Sequence, residues 1–246
     1  METSQSQITE QSRSFRIYTP KGVEADSISN KINNLTTTLN VTNNLFLDKF
    51  ASKGMTKDQL KKFAIQWYKV ISSHKVAFSG LVYNTPNELL RADLITILYD
   101  EYGLGDPKNM HTALFSRIFP EIGISQQELI KTKEIKEVED FRKLVDKTWV
   151  NGSPAKAYGL VYLFEKIGVA FHTKFWEGLK KSGISEYGLS YSKLHSVAEK
   201  EHAEIVVNGL EVYKDQIKDL EDGIKIGAGI MISLWKGLDK HAYSDL

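Results

Sequence analysis

A chain of 246 residues with 41% apolar content can bury a proper core, and its 32 basic and 31 acidic side chains leave a net charge of +1. That balance gives no electrostatic footprint for nucleic acid or for an anionic membrane surface. The chain has no cysteine, which removes disulfides, thiolate metal sites and cysteine nucleophiles together and leaves only nitrogen and oxygen donors for any metal.

Residues 1–25 are polar, rich in Ser, Gln and Glu, and are expected to form a flexible tail. They lack the apolar segment of a secretory signal, so a cytoplasmic protein is expected. Residues 26–246 read as one helical domain, because helix start and stop signals recur and no stretch alternates as a half-buried strand does. The Asn- and Thr-rich segment 26–52 offers a helix only at its end, through Leu45, Phe46, Phe50 and Ala51. Thr56-Lys-Asp-Gln59 is a capping box with Met55 and Leu60 placed as a hydrophobic staple, and Leu60, Phe63, Ala64, Trp67 and Ile71 carry one apolar face towards Gly80. Thr85-Pro-Asn-Glu88 predicts a second capped start for a helix reaching Tyr102 and stopping at Gly103. Asp106-Pro107 predicts the next start, Ser125-Gln-Gln-Glu128 a short helix, and residues 137–150 a further one ended by Asn151-Gly152. Ser153-Pro154 opens a long helix ending near Gly183, Ser190 stands where it can cap the following one, and the last is expected over 214–240. The sum is a bundle of about seven or eight helices. The longest apolar stretch, 226–235, is about half of what a bilayer requires, so no membrane span is expected. The charge run 131–139 mixes signs and reads as a solvated face.

The stretch His195-Ser-Val-Ala-Glu199-Lys-Glu-His202 places imidazole, carboxylate and imidazole on one helical face. The two histidines are roughly 10 Å apart along the axis, too far to share one ion from a straight helix, with Glu199 between them. A central carboxylate with an imidazole on each side suits two ions about 3.5–4 Å apart. Further ligands must come from carboxylates that interrupt apolar faces of neighbouring helices. Glu101 falls one turn beyond Leu94 and Leu98, and Glu165 continues the face of Tyr158 and Val161. His111 follows the turn after Glu101 and can return to it. His172, seven residues beyond Glu165, is expected to line a pocket rather than share the ion of that carboxylate, and His74 and His241 to be surface or helix-end residues. The set is therefore Glu101, His111, Glu165, His195, Glu199 and His202, a mixed oxygen and nitrogen ligation that suits iron or manganese better than zinc. Only one Glu-x-x-His is present, at Glu199–His202, which disfavours the ferritin-like di-iron bundles.

The run Tyr99-Asp-Glu101-Tyr-Gly-Leu-Gly-Asp-Pro107-Lys-Asn-Met-His111-Thr-Ala-Leu-Phe115, Glu165 in a long helix, and Leu194-His195-x3-Glu199-x2-His202-Ala203-Glu204 together resemble the heme-oxygenase-like di-metal oxidases over residues 55–240. The resemblance implies an all-α, heme-oxygenase-like (PqqC/TenA-like) bundle in which those six residues hold two iron ions, or iron and manganese, without heme. It implies an O2-dependent di-metal oxidoreductase that uses an external reductant to oxidise a small molecule such as a fatty acid, an amine or an amino-acid derivative. Homodimers are common among families of this shape. Glu199 stands where such proteins usually carry aspartate, and the interval from Glu101 to His111 is longer than in some of them. A TenA-like reaction lacks its cysteine here, and the first histidine, His74, lies far from where a heme oxygenase has its N-terminal heme ligand. Alternatives left open are a metal-free PqqC-like oxidase, a small-ligand-binding helical bundle, an interaction protein, and a CADD-like para-aminobenzoate synthase that consumes its own tyrosine. For the last, Tyr68, Tyr99, Tyr158, Tyr162 and Tyr191 lie near the site by register. An apolar lining of Trp67, Ile71, Phe164, Phe171 and Phe175 would suit an apolar substrate.

Overall fold

The computed structural model describes residues 25–244, so the tail expected over 1–25 lies, except for Ala25, outside the described residues. Among those residues the chain is helical without strands. We number the α-helices α1 (Ala25–Leu39), α2 (Leu45–Lys53), α3 (Lys57–Asn84), α4 (Glu88–Glu101), α5 (His111–Ser116), α6 (Phe119–Ile122), α7 (Gln126–Lys131), α8 (Lys136–Asn151), α9 (Pro154–Lys181), α10 (Ser190–Asn208) and α11 (Ile217–Tyr243). Eight of them have nine residues or more, close to the number read from the sequence.

Helix α9 forms the axis of the bundle. It is buried almost all round by Tyr158, Leu160, Val161, Leu163, Phe164 and Phe175, and α2, α10 and α11 pack against it. Helix α3 lies on α8 and also touches α11. Two glycines let the backbones of α9 and α11 touch. A Cβ on Gly159 would stand 2.1 Å from the carbonyl oxygen of Leu220, and one on Gly223 2.1 Å from that of Lys156. Gly223→Ala is therefore expected to force α9 and α11 apart and to destabilise the fold by about 1–3 kcal/mol. A chemical denaturation midpoint equal to that of the wild type would show that the crossing can relax at no cost.

The local starts follow side-chain chemistry, with some surprises. The Thr56 capping box forms in full. The predicted Thr85 cap does not: the Thr85 hydroxyl donates back to the Leu81 carbonyl and finishes α3 four residues beyond Gly80, while Asn87 caps α4 by accepting from the Leu90 amide. Ser190 does not cap α10 either, since its hydroxyl donates to the Tyr187 carbonyl and accepts from Arg117. Asp106-Pro107 opens a single 3-10 turn, Pro107–Asn109, and α5 starts afresh at His111. The last helix begins at Ile217, after a 3-10 stretch over Gly209–Gln216.

The turn between α4 and α5 decides where His111 goes. Gly103, Leu104 and Gly105 all take left-handed backbone conformations, with φ of 72°, 55° and 87°. A side chain on Gly103 would strike the backbone of Asn109 and Met110 at 2.5 Å, so only glycine allows this reversal. The unfavourable φ of Leu104 is held by the Tyr99 hydroxyl, which donates to the Leu104 carbonyl at 2.6 Å.

Candidate metal centre

The reversal after Glu101 brings His111 Nδ1 to 2.9 Å from Glu101 Oε2, and α10 lays His195 over the same carboxylate, with Nε2 3.9 Å from Oε1. Ligand atoms of Glu101, His111 and His195 all lie within 4.8 Å of one another. A second such group forms one to two turns along α10, from Glu165, Glu199 and His202, with His202 Nδ1 3.4 Å from Glu165 Oε2. Glu199 stands between the groups: Oε1 is 3.9 Å from His195 Nε2 and Oε2 is 3.9 Å from His202 Nδ1. Its place depends on Gly168 of α9, where a Cβ would meet the Glu199 carboxyl carbon at 2.6 Å. All six residues read from the sequence thus converge in these two groups, and a third group of the same kind, His172, His195 and Glu199, overlaps both.

Two residues join them that the sequence reading placed differently or passed over. His172 lines the cavity as expected, and its Nε2 also comes within 3.9 Å of Glu199 Oε1. The axial distance from Glu165 does not keep it from the cluster, because α10 brings a carboxylate across to it. Asp100 was missed: its Oδ2 lies 3.2 Å from His202 Nε2 and 3.8 Å from His111 Nε2, behind one histidine of each group. Its neighbour Glu101 marks the buried stripe of α4, and helical register turns Asp100 away from that stripe by about 100°. Contacts from other helices reveal it. His74 corrects the expectation of a surface residue. It sits in the cavity wall against Trp149, ring centroids 4.9 Å apart, because it lies one turn beyond Ile71 and two beyond Trp67 on the inner face of α3.

The cluster is ill-suited to stand without a cation. Both His111 nitrogens, His172 Nδ1, His202 Nδ1 and Asp100 Oδ2 are buried without a well-formed hydrogen bond. Such groups are costly unless something satisfies them. Burial opposes ionisation of Glu101, but His111 and His195 outweigh it and hold the carboxyl well below its usual range. Burial and His111 push His195 down to about 3, so it presents a free lone pair. Burial would also lower His202, yet Asp100, Glu165 and Glu199 raise it to about 11. Burial and the neighbouring Glu165 push Glu199 far up, which favours its neutral form. Converging imidazole and carboxylate donors, unsatisfied among themselves, fit one or two divalent ions of the iron or manganese type.

The cavity beside the cluster is walled by Trp67, Ile71, Phe164 and Phe171 as predicted, whereas Phe175 lies behind Trp67 at 4.9 Å. Of the five tyrosines placed near the site by register, Tyr191 alone lines it, its ring 4.2 Å from that of His195. Tyr99 is exposed at the turn, Tyr158 donates to the Val206 carbonyl, Tyr68 packs on Phe119, and Tyr162 is pushed up to about 12 by burial elsewhere in α9.

The chain belongs to the iron-containing redox enzyme family, whose description matches residues 61–236 and so includes all six converging residues. Solved structures of the same fold include a CADD-like protein of unknown function from Nostoc punctiforme, 13% identical, covering 91% of this chain and 100% of that one with a TM-score of 0.75. A TenA homolog from Pseudomonas syringae pv. tomato is 13% identical, with 90% and 98% covered and a TM-score of 0.72. A heme-oxygenase-like domain of unknown function from Shewanella denitrificans is 14% identical, with 87% and 90% covered and a TM-score of 0.65. No curated protein matches the chain in sequence. Among the described residues no helix is long and apolar enough to cross a membrane.

Proposed function

We propose that the chain is a non-heme di-iron, or iron–manganese, oxidase that uses O2 and an external reductant to oxidise a small molecule. The observation that carries this reading is the pairing of two three-residue groups through Glu199, one oxygen towards each. When bound, the ions supply electrons that activate O2. The protein supplies the rest. Glu101, His111 and His195 would hold one ion and Glu165 and His202 the other, with Glu199 between them and His172 within reach of its carboxylate. Tyr191 and Trp67 close the apolar side and keep bulk water off the centre. The reading stands on O2 uptake measured with an oxygen electrode. Protein loaded with Fe(II) under argon should consume O2 when it is admitted, whereas metal-free protein should not. Equal rates in both samples would reject it.

The position of Asp100 carries a further expectation. An N–H on His202 Nε2 directed at Asp100 leaves Nδ1 facing Glu165 and Glu199, and the same carboxylate stands behind His111. Outer partners of this kind orient ligand imidazoles, and their loss typically weakens metal binding by about 10- to 100-fold. Asp100→Ala should show that loss in Fe(II) affinity and Asp100→Asn, which keeps an acceptor oxygen, a smaller one. Wild-type affinity in Asp100→Ala would remove Asp100 from the site.

A second reading has one observation in its favour. Tyr191 stands at the centre, where a self-consuming tyrosine would need to be. Intact-mass analysis after reaction with O2 separates the two: an unchanged mass belongs to a catalyst that spares its own chain.

A further inference from the structure

We infer that Lys75 is a positioning residue for the metal centre: from α3 it clamps both ends of the reversal between Glu101 and His111 and so fixes the separation of those two ligands. The inference rests on the oxidase reading in treating Glu101 and His111 as ligands, and it adds the residue that sets their spacing. Lys75 lies within α3 and is only 5% exposed. Its Nζ donates to the Thr112 hydroxyl at 2.8 Å and stands over the Tyr102 ring, 5.2 Å from the ring centroid. Tyr102 follows Glu101 and ends α4, and Thr112 follows His111 in the first turn of α5. One ammonium on a third helix is thus tied to the residue after each ligand.

A buried ammonium is costly, so its contacts carry meaning. Burial pulls Lys75 below its ordinary range, and the Glu101 carboxylate pulls the other way. Lys75 is not among the residues lining the cavity, so its side chain serves the turn rather than an occupant. The interior of the turn is held by its own bonds: the Tyr99 hydroxyl donates to the Leu104 carbonyl, and the Asp106 carboxylate accepts from the Lys108 amide at 2.9 Å. Those bonds shape the loop but do not tie α4 and α5 to a common base. Lys75 does, and its own helix is anchored beside it by Ile71, Ala77 and Phe78, all buried in the core. The sign of the effect separates a clamp from a simple charge. An ammonium near the ligands repels a cation, so deleting its charge alone would strengthen metal binding. Breaking a clamp weakens it.

The test uses the full-length protein, first without metal and then with Co(II). In the metal-free protein, hydrogen exchange is read at the Asp106 and Leu114 amides, which bond to the Gly103 and Met110 carbonyls at 3.0 and 2.9 Å. Thr112→Val removes the acceptor and Lys75→Met the donor. Each should speed exchange at those amides by about tenfold or more, the scale of one lost buried hydrogen bond, and leave α8 and α11 at the wild-type rate. Thr112→Ser, which keeps the hydroxyl, should match the wild type. Under argon, Co(II) titrated against a competing chelator should bind its first equivalent about tenfold more weakly in Thr112→Val and in Lys75→Met, with the second equivalent changed by less than about twofold. The double variant should be no weaker than Lys75→Met alone, because the two residues make one contact. Wild-type exchange in both variants overturns the clamp, and so does a first-ion affinity that is unchanged or stronger in Lys75→Met. Equal losses at both ions, or faster exchange in every helix, overturn it as well, since they report a general loss of stability. Wild-type protein that takes up no Co(II), while the variants still exchange faster at the turn, counts against the oxidase reading and leaves the clamp in place.

Discussion

Anaerobic titration with Fe(II) is expected to end at two ions per chain in the wild type and at about one in Glu199→Ala, with the second ion bound in a strongly pH-dependent way. The two groups differ in readiness. In the first, Glu101 is held ionised and His195 neutral, so both present lone pairs at neutral pH without releasing a proton. In the second, His202 is held up at about 11 by Asp100, Glu165 and Glu199 against the opposing effect of burial, and Glu199 is pushed far up through burial and Glu165, towards its neutral form. An ion entering there must displace both protons. The sign follows: the proton-bound state of the second group persists as pH falls and is lost as pH rises towards 11, so metal competes better at higher pH. With two protons displaced, the apparent affinity for the second ion should rise by about a hundredfold per pH unit, while that for the first changes little. Calorimetry in buffers of different ionisation enthalpy would count the released protons directly. Two ions binding with the same shallow pH dependence would contradict the asymmetry, and an unchanged stoichiometry in Glu199→Ala would remove its place between them.

The six converging residues were legible because each broke a pattern. Glu101 and Glu165 interrupt apolar stripes, and His195, Glu199 and His202 repeat at the spacing of one helical face. His111 needed a guess that the Gly-rich turn reverses the chain, and three left-handed residues in succession do so. Asp100 and His74 were hidden for a different reason: their roles are set by neighbours on other helices, which periodicity along one helix cannot report. Helix α1 was hidden by composition. Its Asn and Thr residues are weak helix formers, and the threonine hydroxyls bond back to carbonyls four residues earlier. The periodic signal was nonetheless there, in Ile28, Ile32, Leu35 and Leu39, which pack into the core. The caps at Thr85 and Ser190 went wrong because a hydroxyl that can bond forward to an amide can equally bond back to a carbonyl, and the sequence carries no sign of which is nearer.

Fe(II) or Co(II) added without O2 is expected to raise the melting temperature by about 5–10 °C once its concentration reaches about one hundred times the dissociation constant. An ion that binds only the folded chain stabilises it by about 2.7 kcal/mol at that concentration, and a chain of this length shifts by roughly 2–4 °C per kcal/mol. The gain should be concentrated in α10, which buries Ser192, His195, Glu199 and His202 on one short stretch. Without an ion, the inner face of α10 holds a His202 Nδ1 lacking a hydrogen-bond partner, and a Glu199 carboxyl that burial and Glu165 push towards its neutral form. With an ion those same groups become its ligands, so amide exchange across residues 190–208 should slow far more than in α3 or α8. His202→Ala and Glu165→Ala remove ligands from the second group and should each lose about half of the thermal gain, whereas Tyr83→Ala, an exposed residue of α3, should keep all of it. Bound metal with no change in melting temperature, or protection that rises equally in every helix, would mean that the cluster is already satisfied without its ions.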